Sequence, residues 1–365
     1  MRAHPGFARE RRVKQSGTAD IINSSLQSLK DCRAFLNFFK RVIFMKKTVL
    51  KIAAAVLSVV SVLSMAGCKT KEKEVYNVGI CQLVKHDALD KATEGFKKAL
   101  IDKLGEDKIK FDYQNASNES NNCTTIVNSF VQKKYDLIMA NATPALQAAY
   151  NATSTIPILG TSVTEYGVAL GIDNFNGTVG GNVSGTSDLA PLDKQADMIT
   201  ELVPNAKKVG ILYCSAEPNS KYQVEQVEKF LKAKSIEVTR YSFSDSNDIA
   251  SVATSAAANS DAIYVPTDNT AASCAETIGN IVVEKKVPVI AGEAGICKGC
   301  GIATLSIDYY DLGYKTGEMA AEILTGKKDI KNMKIEYVDA AKKYNKDICE
   351  KLGVTVPSDY TSLGE

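Results

Sequence analysis

A run of alternating β-branched strands and amphipathic helices begins near residue 75 and starts over near residue 207. That restart constrains the fold more than any other feature of the chain. In the first pass, residues 75–83 (VYNVGICQL) read as a strand. Residues 89–104 place Leu89, Ala92, Phe96, Ala99 and Leu100 at helical spacing. Residues 108–113 predict a strand, and 123–133 a helix with Ile126, Val127, Phe130 and Val131 on one face. A strand at 137–140 follows. Pro144 then opens a helix at a first-turn place that suits proline. Strands are expected at 156–159 and 169–172. In the second pass, a helix at 192–202 leads to a strand at 207–214 (KKVGILYC) that echoes NVGICQL at 77–83. Helices at 223–233, 249–257 and 271–283 alternate with strands at 237–243, 262–266, 287–291 and 301–307. A last helix spans 313–324, with Gly326 as its stop and Lys327 and Lys328 just beyond. This alternation specifies an α/β fold of two doubly wound parallel-sheet lobes in tandem, each the size of one domain.

In an open α/β sheet, ligands sit beyond the C-terminal ends of the strands. Two such sheets facing each other form a cleft that closes on a small molecule by hinge motion. The polar residues after each strand are therefore the candidate binding groups. In the first half they are Gln82 and His86; Asn141, Thr143 and Pro144; Thr161, Ser162 and Thr164. Ser187 and Asp188 fall between the halves. The second half supplies Ser215, Glu217, Asn219 and Ser220; Thr267, Asp268 and Asn269; Glu293; and Asp308 and Tyr309. Each alone reads as a helix cap or loop residue. Their recurrence at nearly every strand end points to binding.

Upstream lies Met45 to Cys68, MKKTVLKIAAAVLSVVSVLSMAGC. Lys46, Lys47 and Lys51 form a basic start, residues 52–63 an apolar run, and Ser64-Met65-Ala66-Gly67 a small-residue approach to a cysteine. This is the layout of a secretory signal. With cysteine directly after Ala-Gly it looks like a bacterial lipoprotein signal, 45–67, cut before a lipid-bearing Cys68. A transmembrane anchor is the alternative, although the run is short for a span. Residues 1–44 hold six arginines (2, 9, 11, 12, 33, 41), whereas Arg240 is the only one after Cys68. Met45 is thus the expected start, and 1–44 an upstream segment or a basic tail. Residues 68–74 are short and charged and read as a tether.

Composition excludes several classes. Lys+Arg 44 balance Asp+Glu 42, and no basic block follows the tether, so nucleic acid is not an expected partner. His86 is the only histidine after the signal, and Cys297-Lys-Gly-Cys300 is the only C-x-x-C, so no metal or other cofactor is expected. That pair is read in a glycine-rich loop before a strand, where a thioredoxin-like motif does not belong. It is expected as a local disulfide or two idle thiols. Cys81, Cys123, Cys214 and Cys274 are expected as small buried residues. No G-x-S-x-G is present, and no nucleophile has an evident base, so the chain is not expected to be an enzyme.

The strings VGICQLVKHDALD (78–90), ATP (142–144), GTSDLAPL (185–192), GILYCSAEPNS (210–220), VPTDN (265–269) and IDYYDLGYKTGEMAAEIL (307–324) resemble the substrate-binding lipoproteins of an ABC importer family associated with tryptophan and other aromatic amino acids. The tail 349–357 fits it too. Where many members read Thr-Asp-Pro, this chain reads Thr164-Glu165-Tyr166. The resemblance implies a type I periplasmic-binding-protein fold whose chain crosses between lobes three times. Lobe 1 is then 75–188 plus 308–330, and lobe 2 is 189–307 plus 331–365. It also implies a cognate permease, a palmitate-type lipid anchor to the membrane, a location outside the cytoplasm and a monomer. A zwitterionic amino acid needs an anion for its ammonium, from Asp268 or Asp308, with Asp188 or Glu293 in reserve. It needs neutral donors for its carboxylate, from Thr143, Ser187 and Thr267. Tyr213, Tyr166 and Pro144 are expected as walls. A sugar, nucleoside or signalling molecule is the alternative ligand; Trp 0 argues against a sugar platform, and the scarce arginine against a phosphate clamp.

Overall fold

Strand β1 (Tyr76–Gln82) is buried along nearly its whole length, as a strand paired on both sides and covered on both faces must be. It sits inside a five-stranded parallel sheet ordered β2-β1-β3-β4-β5, with β2 at Ile109–Asn115, β3 at Leu137–Asn141, β4 at Ile158–Val163 and β5 at Val183–Ser187. The edge strand β2 is mostly half-exposed, whereas β3, β4 and β5 are wholly buried. The second sheet repeats the order. It comprises β6 (Lys208–Cys214), β7 (Glu237–Phe243), β8 (Ala262–Val265), β9 (Val289–Ala291) and β10 (Ala303–Ile307), arranged β10-β9-β8-β6-β7. It is extended by antiparallel β11 (Ala340–Tyr344) and a short β12 (Thr361–Ser362). The two lobes share one topology, and each reverses strand order beside its first strand.

These coordinates are a computed structural model that describes residues 75–364, which lie in one compact unit. The upstream segment, the signal, Cys68 and the tether lie outside the described residues. Among the described residues, no helix is long and apolar enough to cross a membrane.

Helices cover both sheets. Lobe 1 carries α1 (Asp87–Leu104), α2 (Ser120–Gln132), α3 (Thr143–Ala152) and α4 (Tyr166–Leu170). Lobe 2 carries α5 (Leu192–Leu202), α6 (Pro218–Ala233), α7 (Ile249–Asn259), α8 (Asn269–Ser273), α9 (Ala275–Glu284), α10 (Ala294–Cys300) and the late α12 (Lys346–Leu352). The remaining helix, α11 (Tyr309–Leu324), follows a lobe 2 strand but packs on α1 of lobe 1. Glycine makes that crossing possible. A Cβ at Gly313 would sit 1.9 Å from the Ala92 carbonyl oxygen, and one at Gly95 would sit 2.1 Å from that of Tyr310. Thr316 on α11 then joins Thr161 and Thr186 in a buried hydroxyl cluster on β4 and β5.

Several expectations change. Residues 169–172 are not a strand. Glu165 caps α4 by accepting from the Gly167 and Val168 N–H groups, and Gly171 ends it at φ 66. The fifth strand is Val183–Ser187, which Ser, Gly and Thr disguise. The expected helix at 271–283 breaks at Cys274 into α8 and α9. The helix expected at 313 starts at Tyr309, because Asp308 caps it. Cys297 and Cys300 sit in helix α10 rather than a loop, and both thiols are free and buried. Beyond residue 330 the chain stays with lobe 1. Ile335 and Glu336 donate N–H groups to the Gly177 and Gly185 carbonyls, and β11 enters the second sheet only at Ala340.

Candidate functional site

The hydrogen bonds that join the lobes run between segments that follow strands, so the C-terminal ends of the two sheets face each other. At the crossover itself, Tyr309, the first residue of α11, donates its hydroxyl to Asp188, after β5, at 3.0 Å. Asn118, after β2, donates to Thr270 Oγ1 at 3.1 Å. His86 Nε2 lies 3.4 Å from Asn269 Oδ1. Helix α4 touches α6 at the interface as well.

On the lobe 1 side the backbone is strained. Ala142 links β3 to α3 at φ 91, ψ 159, and Ser162 sits at φ 54 where the β4–β5 register shifts. Such conformations cost non-glycine residues about 1–3 kcal/mol and gather at functional sites. Several buried polar atoms on these strand ends have no partner: Asn141 Oδ1, Ser162 Oγ and Asp188 Oδ1. A buried polar atom of that kind costs roughly 1–3 kcal/mol. Asp188 is 5% exposed, and burial pushes its carboxyl up to about 6, although hydrogen bonds from Tyr309 and Thr164 hold it lower than burial alone would. Ser187 Oγ donates to the Thr164 carbonyl and fixes the loop beside Asp188. Thr143 is buried and opens α3, with Pro144 in its first turn.

The lobe 2 strand-end carboxylates are saturated instead. Asp268 accepts from the Cys214 N–H at 2.7 Å and caps α8 through the Ala271 N–H at 2.8 Å; burial and the nearby Glu217 charge push its carboxyl up. Glu293 caps α10 through the Gly295 and Ile296 N–H groups, and burial lifts it to about 7. Asp308 is exposed and caps α11 through Tyr310 and Asp311. It lines a 190 Å³ cavity together with Lys91, Lys298 and Lys343. Asp268 and Asp308 thus act as helix caps, each with its own donors. Thr267 and Asn219 are joined, since Asn219 Nδ2 donates to the Thr267 carbonyl at 3.2 Å, while Asn219 Oδ1 is buried without a partner.

Other expected residues prove internal. Gln82 receives Thr93 Oγ1 and donates to Asp90 and the Val84 carbonyl, within lobe 1. Tyr213 packs in the lobe 2 core with Val209 and Ile211, and Tyr166 in the lobe 1 core with its hydroxyl on the Thr186 carbonyl, so neither is a cleft wall. His86 has a buried Nδ1 without a partner, and burial pulls its pKa down. Among the described residues, no cluster of three His, Cys, Asp or Glu side chains is arranged to hold a metal. Strand-end reasoning misses Asn118 and Thr270, which lie further from their strands and meet across the lobes.

Comparison with known proteins places this geometry. Residues 77–362 match the model of the ABC transporter substrate binding protein family. A curated relative from Clostridioides difficile (strain R20291), the Tyrosine-binding protein, is 44% identical over 261 residues, covering 71% of this chain and 75% of its own. An ABC domain from Streptococcus pneumonia solved in complex with L-Trp is 31% identical, with a TM-score of 0.74 over 78% of this chain and 96% of that one. A ligand-free, open structure of a substrate binding protein with adhesive properties, from Clostridium difficile, is 38% identical but has a TM-score of 0.62 over 79% and 99%. The L-Trp complex is thus the nearer of the two in shape despite its lower identity, in keeping with lobes that here touch through side-chain hydrogen bonds. With two lobes of the type I periplasmic-binding-protein kind and a match over nearly all described residues, the chain belongs to the ABC transporter substrate-binding proteins.

Proposed function

We propose that this chain captures an aromatic amino acid (tyrosine, phenylalanine or tryptophan) between its lobes and delivers it to an ABC permease from outside the cytoplasm, tethered by lipid on Cys68. One observation carries the ligand class: a buried carboxylate, Asp188, that keeps an unpartnered oxygen at the junction of the lobes. An ammonium group suits that oxygen. A carboxylate suits the other lobe 1 features, namely Ser162 Oγ, Thr143 and the first turn of α3, whose N–H groups lack intrahelical partners. Tyr309, held against Asp188, gives an aromatic face beside the ammonium. The relatives named for tyrosine and solved with L-Trp support an aromatic side chain. Asn219, whose Oδ1 is unpartnered, is the lobe 2 side chain best placed to contact the ligand. The protein works as a monomer in this reading.

A thermal-shift screen against the common amino acids tests it. At a hundred times its Kd, a true ligand adds roughly 2.7 kcal/mol of stability. A shift with tyrosine, phenylalanine or tryptophan is expected, and little with glucose or glutamate. No response to the three aromatic amino acids, with a shift for a sugar or nucleoside, sinks the assignment. For the anchor, Cys68→Ala is expected to leave membrane fractions or to stall cleavage; unchanged membrane retention counts against it.

A further inference from the structure

Glu217 is 5% exposed and follows β6. All its hydrogen bonds stay within lobe 2. Oε2 accepts from Asn219 Nδ2 at 3.0 Å, from the Asn269 N–H at 3.0 Å and from Asn269 Nδ2 at 2.7 Å. Oε1 accepts from the Thr270 N–H at 2.9 Å and from Thr270 Oγ1 at 2.8 Å. This choice of donors fixes what the start of α8 presents to lobe 1. Thr270 has one hydroxyl proton, and it is committed to Glu217, so toward lobe 1 the oxygen can only accept. The amide nitrogen of Asn269 is committed as well, so its carbonyl Oδ1 is the atom left over.

Lobe 1 meets these two acceptors with two donors. Asn118 Nδ2 reaches Thr270 Oγ1 at 3.1 Å, and His86 Nε2 faces Asn269 Oδ1 at 3.4 Å, which places the imidazole proton on Nε2. Asn118 is itself held, at φ 65, by its N–H on the Leu83 carbonyl. A salt bridge from Lys298 of lobe 2 to Asp87 of lobe 1, at 3.3 Å, lies beside the pair but is well exposed and adds little.

We propose that Glu217 is a positioning residue for ligand capture: by orienting Asn269 and Thr270 as acceptors, it builds a clasp that Asn118 and His86 engage when the lobes close, and this clasp sets how long the ligand is held. The inference rests on the functional reading above, in which lobe closure retains an amino acid. Glu217 need not touch that ligand.

The test uses the purified full chain with L-tyrosine as probe, and reads association and release separately by stopped flow. Asn118→Gly removes the donor without straining a left-handed backbone, and Thr270→Val removes the acceptor while keeping its shape. Each is expected to speed release roughly two- to tenfold, the worth of one hydrogen bond, with association unchanged. Thr270→Ser, which keeps the hydroxyl, is expected to release at the wild-type rate. The double variant Asn118→Gly/Thr270→Val is expected to release no faster than the faster-releasing single variant, because both remove one bond. The thermal midpoints without ligand are expected to stay together. Glu217→Gln is expected to affect both contacts at once, and the two flanking variants decide the matter if it fails to fold. Wild-type release rates in both single variants, or multiplied effects in the double, overturn the clasp. A wild-type chain that ignores L-tyrosine sinks the functional reading instead. Small-angle scattering without ligand then judges the clasp, with a more open average shape for Asn118→Gly and Thr270→Val supporting it and an unchanged shape overturning it.

Discussion

The strand ends of the two lobes share one topology and treat their polar groups in opposite ways. In lobe 1, Ala142 and Ser162 hold strained backbone, and Asn141, Ser162 and Asp188 keep buried atoms without partners. In lobe 2, Glu217, Asp268 and Glu293 are each engaged by two or more local donors, and Asn219 Oδ1 is the one strand-end atom there that is buried and unpartnered. A parallel sheet delivers polar residues to the same edge in either lobe. It does not decide whether they are spent on caps. Lobe 1 therefore keeps unspent polar groups at its strand ends, and lobe 2 bears a built surface that meets lobe 1.

The sharpest way to break this contrast is to exchange one carboxylate from each side. Asp188→Asn is expected to cost about 2–5 kcal/mol of ligand binding, between thirtyfold and several thousandfold in affinity, since it leaves the ammonium without its anion. Stability without ligand is expected to hold or rise, because a buried carboxyl with a free oxygen is replaced by a neutral group. Asp268→Asn is expected to do the reverse. An amide at that place sets an N–H against the N–H of Cys214 or Ala271, at a cost of about 1–3 kcal/mol of stability. Calorimetry of binding and of unfolding on the same samples separates the two. If Asp268→Asn loses affinity at full stability, the caps of lobe 2 are part of the binding site after all.

Titration sharpens the comparison further. Asp188 has a folded pKa of about 6, above the value near 3.9 of an unfolded chain. The folded state thus binds more protons in that window. The contribution of this group to stability is fully present below about pH 4 and is lost as pH rises through about 6. Ligand binding has the opposite sign, because the ammonium needs the ionised form, so affinity is expected to rise as pH climbs through the same range. In Asp188→Asn the rise of affinity is expected to flatten. Glu293, at about 7, adds a second fall in stability at slightly higher pH, without a matching change in affinity if it is only a cap. A pH-independent affinity in the wild-type chain removes Asp188 from the ammonium.

How much of this the sequence discloses follows the range of the interactions. The strands β1, β3, β6 and β8 are built around apolar runs, and their place in the sheets is legible from local pattern. The strand β5, Val-Ser-Gly-Thr-Ser, is not. Its burial comes from pairing with β4 and from Thr316, 130 residues away from Thr186. The site is legible as a set of strand ends but not as a division of labour. Asp188, Asp268 and Asp308 look alike in context, yet Asp268 and Asp308 are followed three residues on by Ala271 and Asp311, which have an N–H, and Asp188 by Pro191, which has none. The i+3 N–H is one of the two donors a side-chain cap uses, and proline removes it. Asp188, without that donor, caps no helix and keeps an unpartnered oxygen, a local difference that becomes meaningful once capping is asked of each carboxylate in turn.

The smallest expected effect compares two serines in the left-handed region, Ser162 at φ 54 in lobe 1 and Ser235 at φ 62 just after α6 in lobe 2. Glycine relieves about 1–2 kcal/mol of strain at such a place and gives back nearly 1 kcal/mol through the freedom of the unfolded chain. At Ser235, which is exposed, those terms nearly cancel, and Ser235→Gly is expected to change stability by a few tenths of a kcal/mol. At Ser162 the substitution also deletes a buried hydroxyl without a partner, whose loss is favourable. Ser162→Gly is therefore expected to raise stability by about 1 kcal/mol, seen as a later urea midpoint at an unchanged slope. The same variant is expected to weaken ligand binding severalfold, since the hydroxyl held in reserve is the one a ligand carboxylate would use. Equal stability changes at the two serines would mean that Ser162 is an ordinary loop residue. A gain in stability with full affinity would leave the strain real but move the carboxylate contact to Thr143 and the first turn of α3.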